Sequence, residues 1–258
     1  MIYIAFLVFT FFILTIAFYE WQYFMIFSPT YYRKSDLGKD CELLSIKTDD
    51  GVELEGVVYE PLVATQTLLV FNGRYHDSVG LINKLASTYP NIRLITFNYR
   101  SYGRSQGRAS EKNLLQDSVK IAKIVQKHYG DFSVLGFSLG TNFASFIATK
   151  HPIKSLFLVG AFDSLAGLVK NKIGLNLSLF FRYKFDTLAY IKTINVPIYL
   201  FSSKEDEVIH IKNVRILKEN VKYLAHYEEL DGVNHDNLMF HTDIVKKINR
   251  ILDDTKTM

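Results

Sequence analysis

The sequence predicts an α/β protein. Its core is a mostly parallel, doubly wound sheet with an antiparallel N-terminal hairpin and a short helical cap, preceded by one N-terminal transmembrane helix. Three observations carry this reading. Short, continuous apolar runs alternate with helical stretches, the pattern of strands covered on both faces. Two segments of alternating polarity flank Asp49-Asp50-Gly51, the mark of a hairpin with one solvated face. The opening residues, MIYIAFLVFTFFILTIAFY, carry no charge at all.

The apolar opening comes first. As a helix, residues 1–19 would be about 28 Å long at ~1.5 Å per residue, close to the roughly 30 Å hydrocarbon core of a bilayer. Trp21, Tyr23, Tyr31 and Tyr32 follow, as in an aromatic interface belt. A cleaved signal peptide would want an early Lys or Arg and a small-residue cleavage site, and neither is present. A buried core helix would carry a polar face more often than not. Arg33, Lys34 and Lys39 lie just after the span, and only the terminal amine precedes it. The positive-inside rule therefore predicts a cytoplasmic body. Residues 1–27 are read as anchor and interface segment, and residues 28–258 as one domain with a cap at about 161–193.

The body follows in order. Residues 42–48 and 53–59 form the hairpin. Residues 67–71, 93–97, 132–137, 155–159, 197–201 and 224–230 read as further strands. Helices are expected near 78–87, over 110–128 with Ser110 as N-cap, over 141–150, and over 237–252. Such sheets bind ligands beyond the carboxyl ends of their strands. The 258 residues, 48% hydrophobic and 22% charged, suit one such domain with an appendage. The net charge is +4, but Lys and Arg are scattered, which speaks against a nucleic-acid partner. The single cysteine, Cys41, excludes an intrachain disulfide, and no Cys/His spacing suggests a metal site.

The chemistry centres on Gly136-Phe137-Ser138-Leu139-Gly140, a G-x-S-x-G motif between a predicted strand and a predicted helix. That context forces the serine into a tight turn, with its hydroxyl clear of the sheet and the helix N-terminus beneath it. A Cβ at either glycine would collide with the neighbouring strand or helix. A serine hydroxyl needs a general base, and the base needs an orienting acid. Asp206 and His235 follow Ser138 in the required order, each just past a predicted strand. Glu205 and Glu207 flank Asp206 and are its rivals. His76, His128, His151, His210 and His241 lack either the order or the strand-end position of His235. An oxyanion hole needs two backbone N–H donors. The candidates are Leu139, which follows the serine, and Arg74, in the loop Asn72-Gly73-Arg74-Tyr75-His76.

These stretches carry a family resemblance. "NYRSYGRSQGRASE" from Asn98, "LGFSLGT" from Leu135, "FDTLAYIKTINVPIYLFSSKEDEV" from Phe185 and "GVNH" from Gly232 make the chain, from about residue 42 onward, resemble the α/β-hydrolase-fold serine hydrolases. It looks most like their single-span membrane-anchored branch, which includes depalmitoylating thioesterases and lysophospholipid hydrolases. The resemblance implies a Ser138-His235-Asp206 triad, Leu139 and Arg74 as oxyanion donors, and no cofactor or metal. Two positions depart from the branch. Asn72 stands where it has histidine, and Ser203 where it has glycine. Arg100 reads as a structural ion-pair member.

Residues 160–193 are strongly apolar. Two readings stay open: helices packed on the sheet, or an acyl-binding lid lined by Leu168, Leu175 and Phe180. The leading expectation is a membrane-anchored serine hydrolase acting on an ester or thioester, with the bilayer and an acyl-containing substrate as partners. The alternatives are a serine peptidase-like hydrolase and a catalytically inactive, hydrolase-like binding protein. The intact order Ser138, Asp206, His235 argues against the last.

Overall fold

Eight strands form one sheet: β1 (Cys41–Lys47), β2 (Glu53–Tyr59), β3 (Gln66–Phe71), β4 (Ile92–Phe97), β5 (Ser133–Phe137), β6 (Leu156–Val159), β7 (Ile198–Ser203) and β8 (Leu224–Leu230). The computed structural model describes residues 2–31 and 36–254. The spatial order is β1-β2-β4-β3-β5-β6-β7-β8. Strand β2 runs antiparallel to both neighbours, and every other pair is parallel. The order reverses at β3, which pairs with β4 on one side and β5 on the other. Loops leaving β3 and β5 therefore part at the carboxyl edge, where this class of sheet opens a crevice.

Strands β3, β5 and β6 are buried along their whole length, and their side chains feed two cores. Leu69, Val134, Leu156 and Leu158 face one layer, with Leu68, Val70, Leu135 and Phe157 on the other. This is the period of two that a strand imposes. Helices α3 (Glu111–Tyr129) and α4 (Gly140–Lys150) cover the first face. Helices α2 (Ile82–Thr88) and α9 (Thr242–Asp254) cover the second, and α5 (Leu165–Ile173), α6 (Thr187–Ile191) and α7 (Ile211–Asn220) fall between α4 and β8 along the chain. Ser110 caps α3 as expected, its hydroxyl accepting from Asn113 N–H at 3.2 Å. Arg100 is buried and donates to Asp117 at 2.7 Å and to Asp50 at 2.6 Å. It pins the loop after β4 to α3, in keeping with a structural role.

Two helices differ from expectation. The first helix over 78–87 begins only at Ile82. Asp77 Oδ1 accepts from Gly80 N–H at 3.1 Å, and Ser78 N–H donates to Asn98 Oδ1 at 2.6 Å. These bonds hold the preceding residues in a turn. The closing helix is broken into α8 (His235–Leu238) and α9 by a turn at residues 239–241, in which Met239 is buried and His241 N–H donates to Leu238 O at 3.2 Å.

The N-terminal helix, α1 (Ile2–Ile26), runs 25 residues. Its 18-residue apolar window has a mean hydropathy of 2.4, and none of that window is buried in the protein. The last turns behave differently. Gln22 and Tyr23 are buried, and so is Phe27 just after the helix. Gln22 Nε2 donates to Phe180 O at 2.9 Å, while Gln22 Oε1 accepts from Arg182 N–H at 2.8 Å. Glu20 pairs with Arg108 and lies 3.8 Å from Arg182. The Phe27 ring meets Tyr183 edge-on, centroids 5.2 Å apart. Tyr23, expected in an interface belt, is instead part of the core. Tyr32, Arg33 and Lys34 lie outside the described residues.

The docked turns set where the helix can be cut. A chain beginning at Glu20 should unfold at the same urea concentration as the full chain in detergent. Deletion through Phe27 removes Tyr23 and Phe27 from the core and should cost more than about 3–5 kcal/mol, the range for losing one buried aromatic.

Candidate active site

Ser138 sits between β5 and α4 with φ at +52°, a left-handed conformation that non-glycine residues rarely adopt. The turn is possible because its flanks carry no side chain. A Cβ on Gly136 would come within 2.7 Å of Thr141 Cα and Gly140 O in α4. A Cβ on Gly140 would come within 2.1 Å of Phe71 O at the end of β3. One glycine lets the helix approach its own strand, and the other lets it approach the next strand. The N-terminus of the 11-residue α4 thus lies against Ser138 and brings positive potential to it.

Asp206 follows β7, and His235 follows β8. His235 Nε2 lies 2.9 Å from Ser138 Oγ, and His235 Nδ1 lies 2.7 Å from Asp206 Oδ2. Exposure of the three is 9%, 5% and 8% for Ser138, His235 and Asp206. A carboxylate can only accept, so Nδ1 carries the hydrogen, and Nε2 of the neutral ring is left to accept from the serine. Asp206 is held in turn: its Oδ1 accepts from Val208 N–H at 2.9 Å and Ile209 N–H at 2.7 Å. The rival carboxylates hold the same loop elsewhere. Glu205 accepts from Gly232 N–H at 2.7 Å, and Glu207 accepts from His235 N–H at 3.2 Å. Neither faces the imidazole. Ser203, the departure at the strand end, accepts from Glu205 N–H at 3.2 Å.

The imidazole stacks on Phe137, centroids 5.1 Å apart. Its other neighbour is Gly160, where a Cβ would lie 3.3 Å from His235 Cε1 and where φ is +60°. Sequence reasoning had no signal for Gly160, because it belongs to no motif and lies far from His235 along the chain.

The loop after β3 closes the site from the other side. A Cβ on Gly73 would sit 3.2 Å from the Phe137 ring and 3.4 Å from Ser138 Cβ. Asn72 is fully buried and bonds Ser78 at 3.0 Å and Thr96 at 3.2 Å, while its carbonyl accepts from Tyr99 at 2.6 Å. The asparagine thereby fixes the loop from below. Among the described residues, neither the Arg74 nor the Leu139 backbone N–H is taken by another group. The Arg74 side chain donates to Met25 O at the end of α1 and to the Tyr75 hydroxyl. His76 packs against the far side of Phe137, and burial pushes its imidazole below the ordinary histidine range.

Ser138, Leu139 and Arg74 line one cavity of about 290 Å³. Leu168 of helix α5 (Leu165–Ile173) lies in its wall, as do Phe162 and Phe181. Leu175 and Phe180 do not. Each is 60% exposed and outside the cavity, because α5 ends at Gly174 in a left-handed turn that carries the following chain outward. The opposite wall is Trp21, Met25 and Ile26 of α1, which sequence reasoning placed in a separate anchor. No group of acidic, His or Cys side chains able to hold a metal occurs among the described residues.

No family model matches the chain. An uncharacterized protein of Acanthamoeba polyphaga mimivirus is 28% identical over 190 residues, covering 64% of this chain and 65% of that protein. The chain thus spans just under two thirds of that relative's length. The human alpha/beta hydrolase domain-containing protein 17B is 22% identical over 207 residues, 73% of this chain and 67% of its own. A Pyrococcus furiosus esterase superposes with a TM-score of 0.66 at 17% identity, over 89% of this chain and 97% of its own. The fold is the α/β-hydrolase fold. Strand order, the antiparallel β2 and the serine turn after β5 all accord with that likeness.

The imidazole's seat gives a test. Gly160→Ala should lower stability by about 1–2 kcal/mol through backbone strain at positive φ. It should also slow fluorophosphonate labelling of Ser138, because the new methyl displaces the ring from Phe137. Denaturant titration and timed labelling of the same sample read the two effects.

Proposed function

We propose that the chain is a membrane-anchored serine hydrolase cleaving a carboxylic ester or thioester, of an acyl lipid or an acylated protein, through an acyl-enzyme. The observation that carries the reading is the unbroken relay from Asp206 through His235 to Ser138, at 2.7 Å and 2.9 Å. Ser138 Oγ attacks the acyl carbonyl, and its proton passes to His235 Nε2. Asp206 keeps the ring in the right tautomer and stabilises its cation. The oxyanion accepts from the Arg74 and Leu139 amides. The tetrahedral intermediate collapses, and the His235 proton leaves with the alcohol or thiol. Water then attacks the acyl-enzyme, gives its proton to His235, and releases the acid as that proton returns to Ser138. The esterase and hydrolase names of the similar proteins support the reaction class.

The uncharged run of α1 supports a bilayer anchor, and Arg33, Lys34 and Lys39 after the span support a cytoplasmic body. The chain should stay with membranes in alkaline carbonate, and protease added outside intact cells should leave the body whole. A processed N-terminus after the apolar run would instead favour a signal peptide.

Ser138→Ala should reduce ester turnover by about 10⁶-fold and abolish probe labelling, with circular dichroism unchanged. Asp206→Asn should cost about 10⁴-fold in kcat through loss of tautomer control. Glu205→Gln alters contacts with the Gly232 amide and the Ser203 hydroxyl, away from the imidazole, and should cost far less. Reversal of the two would make Glu205 the acid of the triad.

A further inference from the structure

We infer that the last two turns of α1 form one wall of an acyl-chain site, and that the chain passes into it from the adjoining leaflet along α1 without crossing water. The inference rests on the hydrolase reading above and specifies how its substrate is held.

The level of the membrane follows from charge. Residues 2–19 carry none and span about 27 Å at ~1.5 Å per residue, close to the hydrocarbon thickness. Glu20 is the first charge and is paired with Arg108, so it marks the interface. Trp21, Met25 and Ile26 then lie within about 9 Å of that level along the helix. Trp21 and Met25 are four residues apart, as are Gln22 and Ile26, and all four line the cavity whose floor is Ser138 and Leu139. Leu165, Leu168 and Val169 of α5 line the other side. Trp21 and Met25 are still 55% and 51% exposed, so the wall is also an edge open beside the span.

The wall is fixed rather than loosely apposed. Gln22 bonds the cap backbone at Phe180 and Arg182, and Tyr23 is buried beside it. The Arg74 guanidinium joins Met25 O to the loop that lines the cavity beside Ser138. The cap tip completes the entry. Leu175, Leu179 and Phe180 are exposed at 60%, 95% and 60%, with Lys170, Lys172 and Arg182 flanking them along the chain. The bond from Gln22 to Phe180 sets this tip beside α1, just beyond its uncharged run. Exposed apolar side chains flanked by basic residues suit the headgroup boundary of the leaflet that α1 enters under the reading above. Leu175 and Phe180 were read from sequence as acyl contacts, and their outward aim gives them this other surface.

Size limits the guest. A cavity of roughly 150 Å³ holds a benzene ring, so 290 Å³ has room for on the order of ten carbons, one chain rather than two. The group held against the α1 wall is therefore one acyl chain of the ester or thioester proposed above.

Trp21 is the chain's one tryptophan, which makes the wall directly readable. The full chain in vesicles of saturated, unbrominated lipid is treated with two octyl fluorophosphonates, one brominated at the chain end. Ser138 Oγ displaces fluoride from either, and mass spectrometry confirms the adduct. The brominated adduct should be clearly dimmer than the plain one. A second measurement uses the double variant Trp21→Ala/Met25→Ala. Its ratio of octanoyl to acetyl ester kcat/KM should fall about tenfold, the equivalent of roughly two methylenes of burial. Equal fluorescence from two fully labelled adducts overturns the inference and leaves the hydrolase reading standing, as does an unchanged ratio in the variant. A wild-type Ser138 that takes neither reagent sinks both.

Discussion

The close approach of α4 to the ends of β3 and β5 is the constraint on which the rest of the molecule depends. Backbone atoms of Phe71 and Thr141 lie where side chains on Gly140 and Gly136 would otherwise be. Only this packing holds Ser138 at positive φ, on top of the sheet and at the helix N-terminus. The sheet must in turn be buried on both faces to support it, and β3, β5 and β6 are. The strain at one residue is thus sustained by the cooperative stability of two cores.

The second half of the relay is built on loops, yet it is fixed by several independent bonds. Three consecutive acids divide the work. Glu205 and Glu207 hold the backbone of the loop that carries His235, at Gly232 and at His235 itself, while Asp206 takes the ring. Two backbone amides orient Asp206. Phe137 and Gly160 form the seat of the imidazole. Such a supporting shell restricts the ring to one orientation, which a proton shuttle between a hydroxyl and a leaving group requires.

The N-terminal helix joins an uncharged apolar run to the serine site. Its uncharged turns are exposed, and its last turns share a core with the cap. The cavity above Ser138 has α1 on one side and α5 on the other, so the apolar helix and the site are not separate modules. Arg74 illustrates the economy of the arrangement: it lines the cavity with Ser138 and places its guanidinium on the end of α1.

Much of this was legible in the sequence where local patterns are strong. Apolar runs covered on both faces read as parallel strands, the glycines two residues from Ser138 read as the strained turn, and chain order singled out Asp206 and His235. Each rests on residues near one another along the chain, or on an order that the sheet's connectivity preserves. The rest was decided by tertiary packing. Tyr23 looked like an interface aromatic and is core, because Phe27 packs on its ring and Ser101 and Arg108, from the chain after β4, close over it. Leu175 and Phe180 looked like pocket residues and face outward, because hydrophobicity alone does not say which side of a short segment turns inward. Gly160, Trp21 and Met25 carry no local signature. Their roles come from meeting residues far along the chain, and only the folded packing of sheet, cap and helix determines which distant side chains share one cavity.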